Sequence, residues 1–486
     1  MTLCRILVCF ALLLAVASAQ APSAPPAATG VPPDNAEEIA QQLRRFAMVY
    51  SAVEENFADP VDDGTLIYRA AIPGMLSRLD PYTVFFDPDQ FHQLQQQQQS
   101  KVEGFGTIVS VLPGRVVVIE AKMGAPAAKA GIQPGDEILS VNGYRIEALN
   151  TDQLMELLSE AKRNKARLQV MHPGSAALDT MVLTPAEMTE HSVDRTYLIE
   201  PGIGYVRLNG FEQSSADELH AAIDELVKQG MHSLVFDMRD NHGGLVDIAV
   251  EIAGFFLPPN DVVLSARGRA KKDQVYKVAA EAHPWTFPMA VLVNKNTASA
   301  AEILSGALQD HHRAKIIGQQ TYGKGIVQSV YSLANGTGLA LAAAQYFTPA
   351  GQVIQKRTKG LAFTSSQKGP GGITPDEVIA ATAGINDWLI YLENANAFLD
   401  YARIYVSAHH DVTESFEVSD ELFDGFRAWL VSQNAVVNDQ LWTSNSVYLR
   451  RRLKVEIFNL VFGVARGDQV AAGGDPLVQA AVVAIK

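Results

Sequence analysis

The stretch "MAVLVNKNTASAAEILSGALQDHHRAKIIG", residues 289 to 318, has the pattern strand, helix, strand. Two short Val- and Ile-rich runs enclose a longer run with apolar residues at helical spacing. The alternation extends upstream through "IGYVRL", "SADELHAAIDELVKQG", "SLVFDMR" and "LVDIAVEIAGFFL". Strands that alternate with helices predict a parallel sheet covered by helices. Downstream, "IVQSVYSL" and "LALAAAQYFT" meet at Asn335-Gly336 and predict an antiparallel hairpin. The fold class is therefore α/β.

The 486 residues are too many for one ordinary core, so several domains are expected around this region. Short strands and one helix, Thr151 to Ala161, predict a small α+β module. A glutamine tract before it is either a helix surface or a linker. Helical spacing dominates both ends of the chain, and the run Arg450-Arg451-Arg452 is interpreted as a solvated helix face. The expected domains are a signal peptide (1–19), a Pro- and Ala-rich leader (20–34), an N-terminal helical domain (35–100), the α+β module (101–185), the α/β domain (186–380) and a helical C-terminal domain (381–486).

The first residues have the features of an export signal. An apolar run from Ile6 to Val16 precedes Ala17-Ser18-Ala19, which predicts cleavage after Ala19 and a periplasmic or secreted protein. The run is too short to span a bilayer, although an uncleaved anchor is the alternative. The two cysteines, Cys4 and Cys9, both lie in this segment. The mature chain would therefore have neither disulfides nor thiolate nucleophiles.

Composition narrows the class of partner and cofactor. A hydrophobic share of 48% with 19% charged residues is typical of globular proteins. The net charge of -14 argues against nucleic acid, because phosphate binding needs clustered Lys and Arg. The pairs His311-His312 and His409-His410 do not have metal-ligand spacing on a helix. No metal and no organic cofactor are expected.

Ser299 admits two interpretations. It stands three residues before Glu302 at the head of an apolar helix, which is the spacing of a capping box. A nucleophile at the same place would have outward-pointing N–H groups beside it, with Ala300 N–H as the first donor for an oxyanion. These residues by themselves favour the cap, because capping serines are common.

A nucleophilic serine also needs a base. Lys324 lies between two glycines in "TYGKGIVQ", and Gln328 would share a strand face with it. Burial would be required to keep such a lysine neutral, and an exposed turn lysine is the alternative. His242, in the Gly-rich loop "RDNHGG", is a second candidate base. "GQQTYGKG" has the phosphate-loop spacing, but Gly325 stands where Ser or Thr is needed, which disfavours that interpretation.

Together these segments resemble the carboxyl-terminal processing (tail-specific) serine peptidases over about residues 40 to 380. The resemblance rests on "GAPAAKAGIQPGDEILSVNG", "LVFDMRDNHGGLVDIAVEIAGFFLP" and "VNKNTASAAEILSGALQDHHRAKIIGQQTYGKGIVQ". It implies a crotonase/ClpP-like core with an inserted PDZ domain. Ser299 would be the nucleophile, Lys324 the general base and Gln328 the residue that positions the lysine. The oxyanion hole would use the N–H groups of Ala300 and Gly243, although His242 stands where the family usually has proline.

The implied function is that of an exported serine endopeptidase acting through an acyl-enzyme. The loop formed by Gly104, Phe105, Gly106 and Thr107 resembles one that receives a terminal carboxylate, and the strand after it could accept a peptide as an extra strand. The expected partners are proteins and peptides with apolar C-termini, together with a second copy or an adaptor at the C-terminal helices. A non-catalytic PDZ scaffold on a degenerate peptidase fold is the alternative.

Overall fold

The computed structural model describes residues 33–62, 64–98, 101–162, 164–175, 177–269, 273–357, 370–379 and 386–486. The predicted signal peptide and most of the leader lie outside these residues. In the part of the chain described, none of the helices has the length and apolar character needed to cross a bilayer.

The N-terminal segment is largely helical. Its elements are α1 (Pro33–Asn56), a π-helical segment (Thr65–Ala71), α2 (Ile72–Leu76), β1 (Val84–Phe86) and α3 (Pro88–Gln98). The first helix begins at Pro33, so two residues assigned to the leader are helical. The glutamine tract continues α3 as far as Gln98, which favours the helix surface over the linker. Phe91 and Leu94 of α3 pack against Phe86 and Ala340, so this helix is anchored on the α/β domain.

The α+β module follows as a compact insertion. Its elements are β2 (Lys101–Gly104), β3 (Thr107–Leu112), β4 (Arg115–Ala121), α4 (Pro126–Lys129), β5 (Glu137–Val141), β6 (Tyr144–Arg145), a 3-10 turn (Ile146–Ala148), α5 (Thr151–Ala161), β7 (Ala166–Met171), β8 (Leu178–Leu183) and β9 (Ala186–Thr189). The main sheet has the order β3-β4-β5-β7-β8, so β3 is an edge strand. Antiparallel pairing of β2 with β9 brings the entry and exit of the module side by side.

The α/β domain contains two sheets. Its elements are β10 (Val193–Glu200), β11 (Ile203–Leu208), α6 (Ser215–Lys228), β12 (Ser233–Asp237), α7 (Val246–Ala253), β13 (Val262–Arg267), β14 (Gln274–Lys277), β15 (Met289–Val293), α8 (Ala300–Asp310), β16 (Lys315–Gly318), β17 (Ile326–Ser332), a 3-10 turn (Ala334–Gly336), β18 (Gly338–Phe347) and β19 (Glu377–Val378).

The larger sheet has the order β10-β11-β12-β15-β16-β19, and its strands from β11 to β19 are parallel. Every residue of β12 and β15 is buried, as expected for central strands of a parallel sheet covered on both faces. In the second sheet β17 pairs antiparallel with β18, which confirms the predicted hairpin. Helices α6, α7 and α8 pack into the main hydrophobic core on one face of the larger sheet.

The C-terminal region is helical, with α9 (Asp387–Asn394), α10 (Ala397–Ala408), α11 (Asp420–Ser432), α12 (Asp439–Ser444), α13 (Ser446–Phe462), α14 (Val464–Ala472) and α15 (Pro476–Ile485). The last helix is not part of a separate helical bundle. Its Leu477, Val478 and Val482 pack against strands β11, β12, β15 and β16 on the second face of the larger sheet. The domain boundary drawn at residue 380 therefore separates this helix from the sheet that it covers.

The interpretation of Arg450-Arg451-Arg452 as a solvated face is wrong for Arg452. Its guanidinium donates to Glu393 at 2.6 Å and to Glu456 at 2.9 Å, and it lies over the ring of Phe398. Arg450 lies 4.2 Å from the ring centroid of Phe423. The acidic partners come from helices α9 and α13, and their approach depends on how these helices pack.

Candidate active site

Three loops meet beyond the carboxyl ends of β12, β15 and β16, the edge of a parallel sheet where sites gather. Ala298 N donates to the carbonyl oxygen of Asn241 at 2.9 Å, which joins the first loop to the second. Tyr322 N donates to the carbonyl oxygen of Thr297 at 2.9 Å, which joins the second loop to the third. The Gly-rich loop, the Ser299 loop and the Lys324 loop therefore form one hydrogen-bonded unit.

Ser299 stands immediately before α8 in an unusual backbone conformation. Its φ is 56° and its ψ is -116°, and its side chain is buried. Positive φ is uncommon for a residue with a Cβ and costs of order 1–3 kcal/mol, so such strain clusters at functional sites. A helix cap needs no such conformation, because capping residues usually have extended backbone.

Glu302 joins the serine to the lysine. Its fully buried carboxylate accepts from Ser299 N at 2.8 Å and from Lys324 N at 2.8 Å. The other oxygen accepts from Thr321 Oγ1 at 2.5 Å and from Gly323 N at 2.7 Å. One side chain thus holds the backbone of both predicted catalytic residues. The sequence reasoning treated Glu302 only as half of a capping box; its position three residues after Ser299 was the available signal.

Lys324 is 1% exposed, so the alternative that it is an exposed lysine in a turn is wrong. Burial lowers the pKa of Lys324 to about 8, although the nearby Glu302 opposes that shift. Burial raises the pKa of Glu302, and this effect outweighs the four hydrogen bonds that favour the charged carboxylate. A lysine with a pKa near 8 has a substantial neutral fraction at mildly alkaline pH, as a general base requires.

Gln328 lies on β17 beside a β-bulge and is fully buried. Its Nε2 donates to the carbonyl oxygen of Tyr82 at 2.6 Å. Its Oε1 accepts no hydrogen bond from the described part of the chain, so it remains available to a polar group in the site. The ring centroid of Tyr82 lies 5.8 Å from Lys324 Nζ.

Tyr82 itself belongs to a turn held by the buried Asp80. The Asp80 carboxylate accepts from Tyr82 N and Thr83 N, each at 2.7 Å, and from Thr83 Oγ1 at 2.7 Å. The N-terminal segment therefore reaches the lysine across the second sheet. Sequence reasoning missed this contribution, because the segment is more than 200 residues upstream of Lys324 and no local pattern relates the two.

Gly243 lies directly against the serine. A Cβ at this residue would come within 2.8 Å of Ala300 N and of Ser299 Cβ, and its φ is +94°, so only glycine fits. Its N–H donates to Asn241 Oδ1 at 2.8 Å. Among the described residues Ala300 N–H has no acceptor. The structure brings both predicted oxyanion donors to Ser299, with the N–H of Gly243 engaged by Asn241.

His242 occupies the place of the family's usual proline, and its Nδ1 lies 3.2 Å from the carbonyl oxygen of Asn296. The ring thus contacts the backbone of the Ser299 loop. The described residues contain no group of three side chains arranged to hold a metal ion.

The loop from Gly104 to Thr107 lies at the end of edge strand β3. It borders a cleft of about 1510 Å³ between the α+β module, the N-terminal segment and the 3-10 turn before β18. The module contributes an apolar lining that includes Phe105, Ile138, Val141, Leu158 and Leu168. An edge strand beside such a lining can add a peptide as a further strand and bind its apolar side chains.

Models of known protein families match the α/β domain and the α+β module of this chain. The model of peptidase family S41 matches residues 202–379, and the PDZ domain model matches residues 93–171. A carboxyl-terminal-processing protease of Synechocystis sp. is 33% identical over 64% of this chain and 70% of its own length. A carboxy-terminal-processing protease of Bartonella bacilliformis is 32% identical over 72% of this chain and 78% of its own. The solved structure of a photosystem II D1 C-terminal processing protease is 29% identical, covers 70% of this chain and 86% of that chain, and has a TM-score of 0.41. The predicted fold class, an S41 core with a PDZ domain and helical extensions, is confirmed.

Proposed function

The chain belongs to peptidase family S41, the carboxyl-terminal-processing serine peptidases, and from this premise we propose that it is an exported endopeptidase with a Ser299–Lys324 dyad. The observation that carries the dyad is the shared carboxylate of Glu302, which binds the backbone N–H of both residues. The burial of Lys324 adds support, because a buried lysine lowers stability and a non-catalytic scaffold would gain nothing from it.

The proposed reaction is acyl transfer. Neutral Lys324 accepts the proton of Ser299 Oγ as that oxygen attacks the carbonyl carbon of the scissile peptide bond. The resulting oxyanion accepts from Ala300 N–H, and from Gly243 N–H once that group leaves Asn241. Protonated Lys324 then gives its proton to the leaving amine. Water, deprotonated by the same lysine, hydrolyses the acyl-enzyme and restores the serine. Gln328 and Tyr82 position the lysine in these steps.

Substrates would be selected by their C-termini. We propose that the loop Gly104–Thr107 receives the terminal carboxylate through backbone N–H groups, while the tail adds a strand to β3. The apolar lining of the adjoining cleft favours tails that end in apolar residues. The homologous chains carry names that refer to C-terminal processing, which agrees with this choice of substrate.

The test of the dyad uses purified protein and a folded substrate with an apolar C-terminal tail. We expect cleavage to be lost in Ser299→Ala and in Lys324→Ala, while Ser299→Ala still binds the tail. Lys315→Ala, which removes an exposed lysine paired with Glu377, should cleave like the wild type. Undiminished cleavage by Ser299→Ala would overturn the proposal. A substrate ending in Asp should be cleaved with a raised KM if the cleft selects the tail.

Export is proposed from the first 19 residues and has a separate test. The protein expressed with its native N-terminus should appear outside the cytoplasm with Gln20 as its first residue. An intact N-terminus on the exported protein would show an uncleaved anchor instead.

A further inference from the structure

The loop that carries Lys324 lies against a second segment, residues 354–356, which follows β18. The two glycines beside the lysine allow this close approach. A Cβ at Gly325 would come within 2.2 Å of Gln355 N, and a Cβ at Gly323 would come within 2.9 Å of the last side chain of the segment. The segment therefore contacts the backbone on both sides of the lysine, where only glycine leaves room for it.

The backbone N–H groups of this loop are bound by side chains. Glu302 accepts from the N–H groups of Gly323 and Lys324, at 2.7 Å and 2.8 Å. The next N–H group, that of Gly325, donates to Gln355 Oε1 at 3.0 Å. All three residues are buried, so each of these N–H groups needs an acceptor inside the protein. Glu302 and Gln355 together supply those acceptors.

Gln355 is itself held in one orientation. Its side chain is fully buried, and its Nε2 donates to the carbonyl oxygen of Lys356 at 2.9 Å. One end of the amide faces an N–H donor and the other faces a carbonyl acceptor, so turning the amide over would break both contacts. The preceding residue is fixed as well, because the carbonyl oxygen of Ile354 accepts from Gly372 N at 2.6 Å. Gln355 therefore gives Gly325 a support that is held on two sides.

The carbonyl groups of the two glycines are bound by backbone donors. The carbonyl oxygen of Gly323 accepts from Lys356 N at 2.9 Å, and that of Gly325 accepts from Tyr346 N at 2.7 Å. These two hydrogen bonds are made between backbone groups, so they persist when a side chain is changed. The hydrogen bond from Gly325 N to Gln355 depends on a side chain, so a substitution can remove it while the others remain.

We propose that Gln355 is a positioning residue for the general base: its amide oxygen holds the backbone after Lys324, as the Glu302 carboxylate holds the backbone before and at the lysine. This role depends on the Ser299–Lys324 dyad proposed above. The Nζ atom lies at the end of a flexible side chain, and a glycine backbone rotates easily, so an anchor at Gly325 is needed to fix the lysine. A misplacement of about 1 Å can lower the rate by roughly 10²-fold.

The first test is the variant Gln355→Met, because methionine fills a similar volume but offers Gly325 N–H no acceptor. We expect kcat to fall by roughly 10²-fold. KM should stay within about twofold, since the cleft proposed to receive the tail is lined by other residues. The pH at which kcat/KM levels off should rise above 8, because a loosened loop admits water to Lys324 and weakens the effect of burial on its pKa.

The matched control is Gln320→Met, which breaks hydrogen bonds to residues 371–374 instead. It should leave kcat and the pH profile unchanged. A second pair of variants applies if Gln355→Met does not fold. Gln355→Glu keeps an acceptor oxygen within reach of Gly325 N–H, whereas Gln355→Asn has an amide that is too short to reach it. Each measured at the plateau of its own pH profile, Gln355→Glu should have a kcat about tenfold above that of Gln355→Asn.

An unshifted pH profile in Gln355→Met, with or without a loss of kcat, would overturn the positioning role. A Gln355→Asn protein as active as Gln355→Glu would overturn it as well. Failure of the dyad would give a different result, because Lys324→Ala would then still cleave. An inactive Lys324→Ala protein beside a Gln355→Met protein with wild-type kinetics would overturn the role of Gln355 and leave the dyad intact.

Discussion

At the scale of single residues, the candidate site depends on two buried ionisable side chains whose pKa values shift in opposite directions. Burial favours the neutral form of both, so it lowers the pKa of Lys324 and raises the pKa of Glu302. Glu302 accepts hydrogen bonds from four donors, which favour its charged form, and the ring centroid of Tyr82 lies 5.8 Å from Lys324 Nζ. With a pKa of about 8, the lysine changes protonation in the range in which a general base must act.

We expect the rate of cleavage to follow this protonation. The value of kcat/KM should rise about tenfold per pH unit below pH 8, because only the neutral fraction of Lys324 accepts the serine proton. Above a pKa of about 8 it should level off. The measurement is kcat/KM between pH 6 and pH 10 with a substrate that does not titrate in that range. A flat profile across pH 8 would contradict the role of Lys324 as base.

Lys324→Met should be inactive and more stable at pH 7. A shift of the pKa from 10.5 to about 8 corresponds to a cost of about 3 kcal/mol for the buried charge. The wild type bears this cost in full below pH 8, where Lys324 is charged in the folded and unfolded chains. Its stability rises between pH 8 and 10.5, because only the unfolded chain then holds the proton. Urea unfolding should show that the variant exceeds the wild type in free energy of unfolding by more at pH 7 than at pH 10. A variant that is less stable than the wild type at pH 7 would contradict the destabilising effect of the buried Lys324 charge.

The variant Glu302→Gln should show whether the Glu302 carboxylate positions Ser299 and Lys324 or only fills space in the core. The amide has the same shape but only one acceptor oxygen, so two of the four donors would face an NH₂ group. We expect kcat to fall by roughly 10²-fold, since the serine and lysine loops lose their common anchor. Stability should fall by about 1–3 kcal/mol. Glu225→Gln is the control, because this residue is exposed on α6. An unchanged kcat in Glu302→Gln would show that Glu302 does not position the serine and the lysine.

At the scale of elements, helix α15 belongs to the α/β domain, although the boundary expected at residue 380 excluded it. The sheet of a parallel α/β domain needs cover on both faces, and α6, α7 and α8 supply only one. Helix α15 supplies the other, and Arg239 ties its start to the sheet by binding both Asp475 and the buried Asp237. A segment at the end of the chain thus belongs to the core of the α/β domain.

Val478→Asp and Val483→Asp on this helix should have opposite outcomes. Val478 is fully buried against the sheet, so a carboxylate there would cost more than about 4 kcal/mol or prevent folding. Val483 is 75% exposed, and the same change should alter stability by no more than about 0.5 kcal/mol. Thermal unfolding of both variants tests this. Equal stability of the two would mean that α15 does not cover the sheet.

At the scale of the whole molecule, the PDZ module is held by the C-terminal helices. Arg115 donates to Asp400 at 2.7 Å, and Arg403 donates to the carbonyl oxygen of Gly135 at 2.7 Å. Val117 and Ile119 of β4 pack into the same hydrophobic cluster as helices α9 to α14. The N-terminal segment contacts the candidate site through Tyr82, whose carbonyl oxygen accepts from Gln328. Parts of the chain that are distant in sequence therefore hold the PDZ module on one hand and complete the surroundings of Lys324 on the other.

Asp400→Ala should loosen the PDZ module without unfolding the α/β domain. The change removes the one of the two acidic partners of Arg115 that lies on the C-terminal helices and leaves Glu137 within the module, so we expect faster amide exchange in β4 and unchanged exchange in β12 and β15. Hydrogen-exchange mass spectrometry measures both regions in one experiment. Asp420→Ala is the control, because the Arg450–Asp420 pair is exposed on the aspartate side. Unchanged exchange in β4 would show that apolar packing holds the module without this pair.

The order of strands and helices in the α/β domain and the hairpin at Asn335-Gly336 could be predicted from the amino-acid sequence alone, because they depend on local periodicity and on turn chemistry. The residues proposed for catalysis were named through the resemblance to a known family, since the local pattern around Ser299 favoured a helix cap. The packing of distant segments was needed to show how Glu302 connects two loops, that Tyr82 adjoins Lys324, that Arg452 is paired and that α15 covers the sheet. Those contacts join residues that are distant in the sequence; Tyr82 and Gln328, for example, are more than 200 residues apart. The surroundings of such residues depend on tertiary packing, which no local pattern of the sequence encodes.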